Sequence, residues 1–347
     1  MNLLVKDIED LINYIDCKEK KLFKNKLTEL KFNLYQLLFF YGHLNELPDK
    51  YKDKLDEIYN EVYRFQCKIT SESFNSIKKL DYLNLIANIK NIENHLFRQV
   101  DITEVNKLDN KYTFSFNDCI DIIKDFFNSF DNKYYNDILP FLNKNYISSY
   151  HLDNIGECVH DSLSNNIFIN IDSNNKYSIN YIIILVHELG HSIQFLNNKD
   201  HVKSTYSIYS EFPSRFFELQ FLKYLKNYSE EKDIDILINL YLKNLMTYTY
   251  NFDYTIYKSY IENNIEIMYS GLTLFTYVIG EILAIYYSKL YEVDKDKTKI
   301  EIHNIFKNIG KNENKIILNK DFYKLDFLKE EILDNQKKLE NSNIRKF

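Results

Sequence analysis

A chain of 347 residues, 45% of them hydrophobic, is long enough to bury a real core in one large or two small domains. Its net charge of −6 arises from lysines and acids mixed along the sequence without a basic block, which argues against nucleic acid as a partner. Four scattered cysteines, Cys17, Cys67, Cys119 and Cys158, show no CxxC spacing and predict reduced thiols, not a zinc knuckle or a redox pair. The N-terminus turns acidic at Asp7 without a signal-peptide core, and the longest apolar stretch, Leu272 to Tyr287, is interrupted by Glu281. The expectation is a cytoplasmic protein that makes no use of a membrane. The abundance of Asn, Lys, Ile and Tyr beside six glycines and three prolines reads as AT-rich coding bias and points to no site.

The first hundred residues read as successive amphipathic helices. Phe23, Leu27, Leu30, Leu34, Leu37 and Tyr41 keep a three-four spacing, Gly42 to Pro48 breaks it, and Leu55, Ile58, Val62 and Phe65 resume it. A third helix is predicted from Tyr82 to Phe97. The polar stretch Asp101 to Lys111 is the expected boundary between an N-terminal helical region, 1–105, and a second domain, 106–347. His43 and His95 fall outside any motif and read as surface or hydrogen-bonded residues.

Further on, residues 166–171 alternate apolar and polar side chains just before a loop and predict a short strand. Ser178 is the predicted N-cap of a helix whose apolar residues, Ile179, Ile182, Ile183, Val186, Ile193 and Leu196, leave few faces for solvent. A second helix start is predicted at Ser210, with Pro213 in the first turn, where a missing N–H costs little. The pattern stays helical to the end, and the charged, weakly periodic tail from Lys329 to Phe347 is expected to fray.

Within the Ser178 helix stands His187-Glu188-Leu189-Gly190-His191. On a helix, the spacing places both imidazoles on one face, one turn apart, where they can bind a single zinc ion beside a carboxylate acting as general base. A catalytic zinc needs a third protein ligand and an open fourth position. Glu211, twenty residues beyond His191 and fixed in the first turn of the next helix, is the candidate. Glu218 returns to the same face seven residues later, where it can orient a ligand histidine through its second ring nitrogen. A solvated glutamate, or a salt bridge to Arg215 or a lysine, is the alternative.

The stretch from Tyr181 to Glu218 resembles the thimet oligopeptidase and oligoendopeptidase F family of zinc peptidases, through HELGHS at 187–192 and Glu-Phe-Pro-Ser at 211–214 with Glu218 after it. Residues 112–118, with the amphipathic stretch behind them, look like the helix that opens that family's catalytic region. The resemblance implies a mainly α, zincin-type helical metallopeptidase with a small antiparallel β element beside the zinc helix and a deep cleft, one Zn2+ per chain, and short peptides as substrates. It also implies that 166–171 is an edge strand pairing with extended peptide, that His160 runs near the active site, and that Phe275 to Gly280 supplies Tyr277 to hydrogen-bond the oxyanion. The sequence departs from the family in three ways. The chain is short, Gln194 replaces the usual histidine after the core motif, and Ile267 or Tyr269 stands about where the family has a cleft histidine.

The expected reaction is zinc-dependent peptide hydrolysis, with Glu188 removing a proton from water and passing it to the leaving amine. A thermolysin-like arrangement fits the glutamate spacing too, but that type has an asparagine before the glutamate and an aspartate four residues after it, where Ser210 and Arg215 stand here. A zinc-containing peptide-binding protein with weak catalysis, or a maturation protease dedicated to one peptide, stays open, as does the oligomeric state.

Overall fold

The computed structural model describes residues 2–18, 24–44, 47–79, 82–92, 102–150, 156–172, 177–198, 205–262, 265–311, 313, 316 and 320–344. It begins with helices α1 (Asn2–Lys18), α2 (Lys24–Leu44), α3 (Asp49–Lys79) and α4 (Tyr82–Lys90). The predicted break falls between α2 and α3, where the Pro48 carbonyl accepts from the Tyr51 N–H. Leu4, Ile8, Leu11 and Ile15 of α1 meet Leu30, Leu34, Leu37 and Leu38 of α2 in one apolar cluster, each set keeping the spacing of a single helix face. His95 and Phe97 lie outside the described residues.

The polar stretch expected to separate two regions is itself a helix, α5 (Ile102–Lys111), burying Val105 and Leu108. After it, β1 (Thr113–Phe114) pairs antiparallel with β5 (Tyr177–Ser178). Helix α6 (Phe116–Phe130) opens on a capping box in which Ser115 and Asp118 each satisfy the other's backbone N–H. It turns Phe126, Phe127 and Phe130 onto the core and leads into the short α7 (Asn132–Ile138).

A second sheet has the order β2 (Ile147–Ser148), β4 (Asn166–Ile171), β3 (Gly156–Asp161), with β2 parallel and β3 antiparallel to β4. Asn165 turns the β3–β4 hairpin at φ 62°, a left-handed conformation that asparagine tolerates. Residues 166–171 therefore form the middle strand, and among the described residues β2 and β3 are the edges. The strand is buried on both faces. Ile167, Ile169 and Ile171 face the main core, while Phe168 joins Val159 in the cluster of α1 and α2. The polar Asn170 is buried too, its Oδ1 accepting from Ser148 Oγ at 2.9 Å and from the Tyr150 N–H at 3.0 Å.

Next come α8 (Ile179–Asn197), α9 (Phe212–Tyr224), α10 (Glu231–Glu262), α11 (Ile265–Val293), α12 (Lys295–Asn308), α13 (Lys320–Lys324) and α14 (Asp326–Ile344). Helix α8 is buried on most sides, as its sequence predicts. Its first three N–H groups, which have no partner inside the helix, are met by the Tyr112 carbonyl, Asp109 Oδ1 and the N-cap Ser178 Oγ. Phe126, Phe127 and Phe130 of α6 pack in tilted and edge-to-face pairs on Phe221, Phe217 and Phe216 of α9. Each such ring contributes about 1.5–3 kcal/mol by burial.

The tail is helical over Asp326–Ile344. Leu328, Ile332, Asn335 and Leu339 line one face of α14 and bury it against α10 and α11, so the stripe outweighs the charges on the outer face. Within α11, Ser270–Val293 is long and apolar enough to cross a membrane, yet most of it is buried between neighbouring helices. None of the four cysteines forms a disulfide. The architecture is mainly helical with two small sheets, as expected, although one strand pair is parallel.

Candidate metal centre

Helix α8 brings the His187 and His191 rings within 5.0 Å of each other. Helix α9 starts at Phe212, so its N-cap is Glu211 and not Ser210; the Ser210 N–H is tied back to the Ser207 carbonyl in the preceding turn. The Glu211 side chain makes no cap hydrogen bond. Its Oε2 stands 3.6 Å from the Nε2 of His187 and 3.6 Å from the Nε2 of His191. Ser214 Oγ donates to the Glu211 carbonyl at 2.9 Å and stands 3.3 Å from the Glu211 carboxylate.

Two helix crossings hold this corner. A Cβ on Gly190 would lie 2.4 Å from the Ser214 Cα, and one on Gly280 would lie 2.8 Å from the Glu211 carbonyl carbon and Cβ. The absence of side chains there lets α8 and α11 approach the start of α9 closely.

Two donors each about 2.1 Å from a tetrahedral zinc stand about 3.4 Å apart. The two 3.6 Å separations fit that spacing, and two imidazoles with one carboxylate are a donor set zinc accepts. Burial lowers the His191 pKa to about 4, which keeps the ring neutral. Burial also opposes charge on His187, but the Glu218 hydrogen bond and carboxylate outweigh it and raise that pKa, so metal binding there competes with a proton.

Both readings of Glu218 hold at once. Its Oε2 faces His187 Nδ1 at 2.9 Å and accepts from Arg215 Nη1 at 2.9 Å. Burial works against the Glu218 charge, yet Arg215 and His187 more than offset it and hold the carboxyl below its ordinary range. Arg215, which the sequence offered only as a surface partner, is buried. It reaches Tyr248 and lies 3.5 Å from Glu281, which is 0% exposed.

A cleft of about 580 Å3 opens beside these groups, lined among others by Gly156, Asn180, His187, Glu188, Tyr248 and Tyr277. Burial pushes Glu188 up to about 7, opposed by His187 and reinforced by Glu211, Glu157 and Glu218. A carboxyl poised there exchanges protons near neutral pH. The charge of Glu211, together with burial, keeps the Tyr277 hydroxyl protonated well above the ordinary phenol range, as a hydrogen-bond donor. Tyr248, absent from the sequence reading, stacks on Tyr277 at 4.9 Å.

His160 is neither in the cleft nor solvated. It is buried on β3 with Nε2 3.0 Å from Asn165 Oδ1 and its ring stacked on Phe195, because the hairpin turns it away from the metal corner. The side chains of Ile267 and Tyr269 lie outside the described residues. Gln194 is buried in α8.

No protein-family model matches the sequence, and no curated protein is similar to it. Solved structures are. A protein assigned as an oligoendopeptidase F from Bacillus anthracis str. Ames aligns over 92% of this chain and 66% of its own, with a TM-score of 0.51 and 14% identity. PZ peptidase A, solved with an inhibitor, aligns over 92% of this chain and 68% of its own, with a TM-score of 0.53 and 11% identity. The chain thus spans about two thirds of the length of these proteins, and what it shares with them is a distant helical peptidase fold.

Proposed function

We propose that the protein is a zinc-dependent metalloendopeptidase of the oligopeptidase type acting on short peptides. The observation that carries this reading is the convergence of His187 Nε2, His191 Nε2 and Glu211 Oε2, with His187 and Glu188 lining the adjoining cleft. These three residues would hold zinc, which when bound polarises a peptide carbonyl and acidifies water.

The protein's own groups do the rest. Glu188 takes a proton from the attacking water and hands it to the leaving amine, a double duty suited to a carboxyl near pH 7. Tyr277 donates to the developing oxyanion. Glu218 holds the His187 ring in the orientation that presents Nε2.

The test is mass-spectrometric cleavage of a mixed peptide library by zinc-loaded protein, with Glu188→Gln as control. Internal cuts that vanish in the variant support the reading. Undiminished cleavage by Glu188→Gln overturns the role of that residue. One bound zinc without any cuts shifts the reading to a peptide-binding protein or a single-substrate protease.

A further inference from the structure

Arg215 lies one turn beyond Glu211 and is 6% exposed. Its Nη1 donates to the Glu218 oxygen that also faces His187 Nδ1. Its Nη2 donates to Tyr248 Oη at 2.8 Å and stands 3.5 Å from Glu281 Oε1. The guanidinium carbon sits 5.0 Å from the centre of the Tyr277 ring and 5.4 Å from that of Tyr248. A planar guanidinium serves all these directions together, whereas an ammonium is a point charge that must choose among them.

Stability does not explain this arrangement. Glu281 is buried and, among the described residues, neither of its oxygens accepts a hydrogen bond. Taking such a pair out of water costs about as much as the attraction returns, and apolar replacements are often as stable. What the pair supplies is direction.

We infer that Arg215 is a positioning residue that fixes His187 through Glu218 and fixes the Tyr248–Tyr277 ring pair on the cleft wall. Because Tyr248 Oη accepts from Arg215, its own proton is available to donate toward a ligand in the cleft. This inference rests on the zinc reading of the centre.

The test compares metal-free parent protein with Arg215→Lys, Arg215→Met and the double variant Arg215→Met with Glu281→Leu. Zinc affinity is read by competition with a chromogenic chelator, ligand geometry by the visible spectrum of the cobalt-substituted protein, and folding by circular dichroism. The double variant, which leaves no buried carboxyl without its arginine, is expected to melt near the parent yet bind zinc at least tenfold more weakly, with an altered cobalt spectrum. Arg215→Lys should recover part of the affinity. A folded double variant, or a folded Arg215→Lys, with affinity within twofold of the parent and an unchanged spectrum overturns the positioning role alone. A parent that takes up no zinc overturns the reading of the centre, and this inference with it.

Discussion

Replacing Gly280 with alanine tests whether the α11–α9 crossing sets Glu211, the proposed third zinc ligand. The new methyl would stand 2.8 Å from the Glu211 carbonyl carbon, 2.8 Å from its Cβ and 3.0 Å from its carbonyl oxygen. Carbon atoms in contact rest at about 3.5–4.0 Å, so the shortfall is about 0.7–1.2 Å. The atoms met are backbone and Cβ, which cannot swing aside as a side-chain end can. Either Glu211 shifts or the two helices part. Ligand distances tolerate only about 0.2 Å, so a displacement of this size should weaken zinc binding about 100-fold, or about 2.7 kcal/mol. The overpacked crossing should also cost about 1–3 kcal/mol of metal-free stability. The assay is a chelator competition titration beside a thermal melt, with Gly271→Ala as control. There the added methyl meets Ile256 Cδ1 at 2.9 Å, the mobile end of a side chain. A folded Gly280→Ala protein binding zinc within twofold of the parent would refute the reasoning.

Glu218→Gln removes the charged acceptor shared by His187 and Arg215, and zinc affinity should fall about 10- to 100-fold while the fold survives; an unchanged dissociation constant in the same titration would count against the orienting role. A stability loss in acid is expected from His160, whose pKa burial depresses from 6.5 to about 4. The folded state binds the proton less well than the unfolded chain, so the contribution is complete above pH 6.5 and declines as pH falls from there towards 4. The total loss is about 3 kcal/mol. Urea titrations of the parent and of His160→Phe between pH 7 and 4 measure it, and parallel pH dependences would show that His160 does not carry the effect.

Much of the metal corner was legible because its signals are local. Ser178 caps a helix whose period and apolar content were readable, and the 187–191 spacing turns that helix into a two-histidine face. Glu211 was readable as a neighbour in space because it lies just ahead of the next helix, although the cap there is Glu211 itself. What escaped was set by distant partners. Arg215 entered only as a candidate salt-bridge partner of Glu218 and as an argument against a thermolysin-like arrangement, and Glu281 only as an argument against a membrane span, yet the two lie side by side in the interior, separated in sequence by all of α10 and the first half of α11. A lone carboxylate within an apolar helix was the available sign that a cation must come to it. The strand at 166–171 was readable as a strand, but its place in the sheet depends on β2 and on the helices covering Phe168, which no local pattern encodes.

Tyr277, Gly280 and Glu281 fall within five consecutive residues of α11, about 6 Å of helix axis. One stiff rod therefore carries a cleft hydroxyl, the surface against which Glu211 rests, and the buried carboxyl beside Arg215. Rotating or sliding that rod to widen the cleft would disturb all three together, and its packing against α9, α10, α12 and α14 resists such motion. Breathing that admits a ligand is then expected at the facing wall, where β3, an edge strand of its sheet among the described residues, begins at Gly156. Amide exchange on the two sides should differ accordingly, slow along α11 from Phe275 to Ile285 and faster at the start of β3.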